Sequence, residues 1–212
     1  MQNGGQHIDD QAIWLQIIRG NELALAQLYD LYVDVLYSYG RKITYKSEII
    51  EDAIQDLLTE IWYRREKLSV PNSVKAYMLR AFRRTLLKQL YQYKRISFTG
   101  EYLPVGEDDD HQYLHTQILS EIESEFKTDL QQAMAMLSQK EQEAITLRYT
   151  ENLSHDEIAS IMGIKKQTLY NLLHNAIQKL TASMKNKYPS DGVFTPFAIT
   201  LFLLSEMFEV PV

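Results

Sequence analysis

The stretch LSHDEIASIMGIKKQTLYNLLHNAIQKL, Leu153 to Leu180, constrains the fold of this chain more than any other. Two amphipathic helical runs meet in it at Gly163-Ile164, and Lys165 and Lys166 follow at once. Ser154 with Glu157 three residues on is a capping box, so a helix starts there and not elsewhere. Ile158, Ala159, Ile161 and Met162 are its apolar side, and Gly163 supplies the tight turn that ends it. Lys165 to Lys185 is the second, longer helix. Helix, glycine turn and helix with a basic, polar start is the helix-turn-helix arrangement, whose second helix enters the major groove N-terminus first. The lysines are placed to meet phosphates.

The rest of the chain reads as helical too. Eight Gly and five Pro in 212 residues, among long Leu/Ile/Ala/Gln/Glu/Lys stretches, leave no need for strands. The fold class expected is all-α, in two small helical domains. A first helix starts at Asp9 or Asp10 and reaches a break at Gly20-Asn21, and a second follows from Glu22 with Leu25, Leu28, Tyr32, Val35 and Leu36 as its stripe. The third, Ser47 to Arg65, places Ala53, Ile54, Leu57, Leu58, Ile61 and Trp62 on one face. Ser69-Val70-Pro71-Asn72-Ser73 breaks the pattern, and Ser73 caps the helix that follows. A second capping box, Ser138 with Glu141, opens the C-terminal half, and Asn152 is a stop signal. The boundaries expected are 8–97, an acidic linker over 98–125, 126–188, and a hydrophobic tail over 189–212. The tail's apolar residues, Phe194 to Phe208, are interrupted by Pro196 and Glu206 and fall short of the roughly 20 residues a bilayer crossing needs. A docking segment, or a helix folded back on its own domain, is expected there rather than membrane insertion.

The absence of Cys rules out disulfides, thiolate catalysis and Cys-ligated zinc. With a polar, acidic N-terminus in place of a basic and then apolar one, a cytoplasmic protein is expected. A net charge of −6 argues against a nucleic-acid partner until its distribution is considered. Between Arg64 and Arg95 stand ten basic residues and one acid, Glu66, whereas Glu101 to Leu137 holds nine acids against Lys127 alone. Two basic modules are joined by an acidic strap.

Within the first module Tyr77, Arg80, Arg84, Lys88, Tyr91 and Arg95 advance by 3, 4, 4, 3 and 4, forming one stripe along a helix. Cations that track a backbone and rings that stack on bases suit unpaired nucleic acid. A solvated basic face is the plainer alternative. The polar face of the preceding helix, with Asp52, Gln55, Asp56 and Glu60, repels DNA and suits a basic protein partner, or else is simply solvated.

Taken together, these stretches resemble the sigma-70 family of bacterial RNA polymerase specificity factors, in its compact extracytoplasmic-function group. DQAIWLQIIRGNELALAQLYDLYVDVLYSY is similar to the family's opening helices. IEDAIQDLLTEIWYRREKL is similar to its most recognisable stretch, an Asp, a Gln-acid pair and a Trp, here Asp52, Gln55, Asp56 and Trp62. VKAYMLRAFRRTLLKQLYQYKR resembles the helix that opens and holds the −10 promoter element, and LSQKEQEAITLRYTENLSHDEIASIMGIKKQTLYNLLHNAIQKL the domain that reads the −35 element.

The resemblance implies a sigma factor that binds core RNA polymerase, directs it to promoter DNA and assists opening. It implies no enzymatic activity, catalytic residue, cofactor or metal. Asp52, Gln55, Asp56 and Glu60 would hold the polymerase. Asn72 and Ser73 in the Pro71 loop would form part of a pocket for an extruded base, and Tyr77, Arg80, Arg84, Lys88, Tyr91 and Arg95 would hold the separated strand. Lys165, Lys166, Gln167, Thr168, Tyr170, Asn171 and His174 would meet the −35 element. An anti-sigma factor is left open as a further partner. Two departures stand out: Arg84 and Lys88 replace a usual Asn and Asp, and Tyr170, Asn171 and Leu172 replace a usual Lys, Ser and Arg. The competing readings are a stand-alone helix-turn-helix regulator on duplex DNA, and a metal enzyme using Asp108, Asp109, Asp110, His111 and His115.

Overall fold

The computed structural model describes residues 9–97 and 129–185, with side chains described over 9–93 and 129–184. The expected linker over 98–125, with its Asp108 to His115 cluster, and the tail over 189–212 lie outside the described residues. The chain divides into two compact units, the first running to Ile96 and including Ser160–Met162, the second taking the remainder.

Helix boundaries in the first unit follow from local chemistry. Asp9 caps α1 (Asp10–Ile18), its carboxylate accepting from the amides of Gln11 and Ala12 at 3.1 and 3.3 Å. Gly20, at φ +86°, takes the left-handed conformation that turns the chain. Asn21 then caps α2 (Glu22–Ile43) through the Leu23 amide. Next come α3 (Ser47–Arg64) and α4 (Val74–Ser97). The third helix stops one residue earlier than the pattern predicts, because Arg65–Lys67 tightens into a 3₁₀ turn. There the Arg65 guanidinium donates to the Trp62 carbonyl at 2.9 Å and lies 4.5 Å from the Trp62 ring.

The core of this unit gathers Trp14 and Ile17 from α1, Leu28, Leu36 and Tyr39 from α2, Ile50, Leu57 and Ile61 from α3, and Met78, Leu79, Phe82 and Leu86 from α4. Each such side chain contributes about 1.5–3 kcal/mol of burial before entropy is counted. Leu25, Val35, Leu58 and Trp62, expected on the apolar faces, are only half-buried and lie at the margins of their stripes. The helices approach closely at Gly40, where a Cβ would stand 2.8 Å from Ile50 Cγ2 and 3.1 Å from Phe82 Cζ. The Tyr32 hydroxyl donates to Asp10 at 2.5 Å, and burial followed by that carboxylate pushes its pKa up, whereas the buried Gln89 Oε1 has no hydrogen-bond partner among the described residues.

In the second unit a helical segment, α5, covers 129–135. α6 (Gln139–Ile145) runs into a π turn, Thr146–Thr150, and is followed by α7 (His155–Met162) and α8 (Lys166–Lys185). Both capping boxes form as the sequence predicts, with Ser138 and Glu141 bonded reciprocally, and Ser154 and Glu157 likewise. Asn152 at φ +53° and Gly163 at φ +67° make the two left-handed stops. Lys165 precedes α8 rather than opening it, and its carbonyl accepts from Leu169 N at 3.1 Å. Every described element is helical, so the fold is all-α.

One polar group sits deep in this unit. Glu141 is 4% exposed, and its carboxylate accepts from the Lys179 ammonium at 2.9 and 3.0 Å and from the Ser138 amide and hydroxyl, each at 2.8 Å. Burial pushes the carboxyl pKa up, but the hydrogen bonds from Lys179 and Ser138 outweigh it and hold the group below the usual carboxylate range. The capping box of α6 is thereby tied to α8.

Candidate polymerase and nucleic-acid interfaces

On α3 the core residues Ala53, Ile54, Leu57 and Ile61 turn one way and leave Asp52, Gln55 and Asp56 exposed on the other, with Glu60 partly covered. Helical periodicity suffices for that separation. The neighbours of these acids are less obvious from sequence. Glu60 pairs with Arg64 at 3.2 Å and with Arg84 of α4 at 3.5 Å, and Gln89 of α4 donates to Asp56 at 2.8 Å. Arg64 and Arg84 stay well exposed, so each of their ion pairs with Glu60 adds a few tenths of a kcal/mol and remains exchangeable. Tyr63, four residues beyond Thr59 on the same face, is 86% exposed and was not singled out by its sequence context. Its only signal there is helical spacing from Asp52, Asp56 and Thr59.

On α4, Arg80, Arg84 and Lys88 are exposed and Tyr91 is 65% exposed, so the cations and one ring of the predicted stripe share an open face. The side chain of Arg95 lies outside the described residues. Tyr77 is placed differently. Half-buried, it meets the Trp14 ring edge-on at 4.9 Å, and burial followed by the Glu60 carboxylate pushes its hydroxyl pKa up.

The Pro71 loop before α4 is tied to α1. Trp14 donates its indole N–H to the Ser69 carbonyl at 3.2 Å, and Gln11 donates to the carbonyls of Pro71 and Asn72 at 3.3 and 3.1 Å. Ser73 accepts from the Ala76 amide at 3.1 Å, capping α4 as predicted, while Asn72 stays exposed. These supports from Gln11 and Trp14 are 55 to 61 residues away in sequence, which is why no local pattern announces them.

In the second unit Leu169, Leu173, Ala176 and Leu180 anchor α8, and Lys165, Lys166, Gln167, Thr168, Tyr170, Asn171 and His174 are all exposed. Several already have partners. Lys166 forms an ion pair with Asp156 that raises its pKa. Gln167 donates to Asn171 at 3.2 Å, and the rings of His155 and Tyr170 lie 4.9 Å apart. Among the described residues no group of His, Asp or Glu is placed to hold a metal ion, and no helix is long and apolar enough to cross a membrane.

An exposed acidic helix face beside a cation-rich helix, and a capped helix-turn-helix, are the arrangement expected of a helical transcription protein. Comparison with known proteins carries this further. Residues 28–96 match the sigma-70 region 2 family and 127–180 match the sigma-70, region 4 family. The RNA polymerase sigma factor YlaC of Bacillus subtilis is 24% identical over 166 residues, covering 76% of this chain and 92% of that protein. Among solved structures, CnrH in complex with the cytosolic domain of CnrY superposes with a TM-score of 0.55 at 17% identity, covering 84% of this chain and 99% of that one. RpoE of Bartonella quintana in complex with the anti-sigma factor NepR gives 0.58 at 21% identity, covering 76% and 96%. This chain belongs to the sigma-70 family. It is a sigma factor, which binds core RNA polymerase and directs it to promoters for transcription initiation.

Proposed function

We propose that the two exposed faces of the first unit divide the work of this sigma factor between polymerase and DNA. Asp52, Gln55, Asp56 and Glu60 hold a basic surface of core RNA polymerase, and Tyr63 adds an aromatic anchor at the edge of that face. Arg80, Arg84, Lys88, Tyr91 and Arg95 hold the separated strand at the −10 element. Tyr77 then acts mainly as a brace between α4 and Trp14. Asn72 and Ser73, in a loop fixed by Gln11 and Trp14, line the pocket for an extruded base. The observation that supports this division most directly is the juxtaposition at Glu60, where the acidic face of α3 and the cationic stripe of α4 meet through Arg84.

In the second unit Lys165, Lys166, Gln167, Thr168, Tyr170, Asn171 and His174 meet the duplex at −35. The domains in this reading are 8–97 and 126–188, joined by the acidic strap over 98–125. The protein works in the cytoplasm without a catalytic site of its own. CnrH is solved with the cytosolic domain of CnrY and RpoE with the anti-sigma factor NepR, and an anti-sigma protein is the corresponding partner here. A stand-alone regulator would use α8 alone and leave the α3 face idle.

Asp56→Arg reverses charge on the exposed face without touching the core, so it is expected to lower affinity for core polymerase at least tenfold while far-UV circular dichroism stays unchanged; close charge pairs in interfaces are worth about 1.5 kcal/mol or more. Equal affinity in a polymerase pull-down titration would remove α3 from the interface.

A further inference from the structure

Within the helix-turn-helix, the first turn of α7 reaches across to the exposed side of α8. The Asp156 carboxylate takes Lys166, and the His155 imidazole lies 4.9 Å from the Tyr170 ring, the planes inclined by 55°. Tyr170 is on the side of α8 away from Leu169, Leu173 and Ala176 and is 47% exposed. An aromatic side chain on an outer helix face is otherwise free to change rotamer. Here the imidazole stands against one side of the ring and restricts the rotamers open to it, and the neighbouring Asn171 accepts from Gln167 at 3.2 Å.

A tyrosine carries no charge, and a hydrogen bond from its hydroxyl to a phosphate would position the helix without reading sequence. What its ring offers a duplex is apolar contact, and the apolar feature displayed by a base edge in the major groove is the C5 methyl of thymine. The pairing of Lys166 with Asp156 points the same way, because it withdraws positive charge from the start of α8 and leaves more of the discrimination to neutral groups. We propose that Tyr170 is a specificity-determining residue that packs on a thymine methyl in the upstream promoter element, and that His155 is a positioning residue that holds the ring for it. This rests on the reading that α8 enters the major groove.

Replacing thymine by deoxyuridine removes that methyl and nothing else. Holoenzyme assembled from the full chain and core RNA polymerase is used to select promoter duplexes from a randomised pool, and each thymine of the recovered upstream element is then replaced in turn. At one position the wild-type holoenzyme should lose affinity about threefold to fivefold, the change that one buried methyl group brings. Tyr170→Ala holoenzyme should not respond to that replacement. His155→Ala should respond less than wild type, and His155→Phe, which keeps a ring, should regain the response. The slope of log affinity against log salt should be the same for wild type and His155→Ala, whereas loss of a phosphate contact would flatten it. A recovered element with no methyl-sensitive position, or equal sensitivity in Tyr170→Ala, overturns the role of Tyr170. Full sensitivity in His155→Ala, or a flattened salt slope, overturns the positioning role. Recovery of no common element overturns the major-groove reading of α8 and this proposal with it.

Discussion

Two glycines show how differently one residue type is used. Gly163 has φ +67° and open space where a Cβ would go, so Gly163→Ala meets only backbone strain, about 1 kcal/mol. Gly40 lies inside α2, where Ala is otherwise the better residue, yet its Cβ would stand 2.8 Å from Ile50 Cγ2. Gly40→Ala is therefore expected to lose about 1–2 kcal/mol net through overpacking, and Gly163→Asn less than Gly163→Ala, both read from urea unfolding. A stabilised Gly40→Ala would mean that the helices separate there at little cost.

The Glu141–Lys179 pair makes a pH-dependent prediction. A carboxylate whose folded pKa is depressed stabilises the fold above its unfolded value, about 4.3, and loses that contribution as pH falls through the folded value. The gap in unfolding free energy between wild type and Glu141→Gln should thus narrow between pH 6 and pH 3. Because Lys179 is half exposed, Lys179→Met should cost only about 1–2 kcal/mol despite the buried partner. A gap of constant size across that pH range would show that Glu141 gains nothing from being ionised.

Among the elements, α4 carries the prediction most specific to strand opening. Its cations reach an exposed face while its opposite face supplies Met78, Leu79, Phe82 and Leu86 to the core, so Arg80, Arg84 and Lys88 can be truncated together without loss of packing. The triple Ala holoenzyme should impair promoter melting more than initial duplex binding, seen as weakened permanganate reactivity in the bubble. Undiminished reactivity would assign the stripe to solvent. The element-scale lesson from Tyr77 is that membership of a stripe does not decide a role. Its spacing matches the cations, but its position on α4 puts it against Trp14, and the ring is held inside the unit.

At the scale of the whole molecule, a net charge of −6 coexists with ten basic residues between Arg64 and Arg95. Affinity for promoter DNA should accordingly fall linearly in log–log form with salt. Removal of the three α4 cations should reduce the slope by about two, at roughly 0.7 per contact on single-stranded DNA. An unchanged slope would place the strand elsewhere on the protein.

Much of this architecture follows from the sequence alone. The capping boxes at Ser138 and Ser154, the cap at Ser73 and the stops at Asn152 and Gly163 act within three or four residues, so they need no tertiary contact. Helical periodicity likewise assigns Asp52, Asp56, Arg80 and Lys88 to outer faces, because only one side of each helix is apolar enough to bury. Tertiary structure alone decided which polar groups on those faces already have partners. Glu60 with Arg84 and Glu141 with Lys179 join residues 24 and 38 positions apart, and Gln11 reaches the Pro71 loop from 60. Such contacts depend on where two helices cross and how their side chains are directed, and that geometry is set by the packing of the core rather than by any pattern along one strand of sequence.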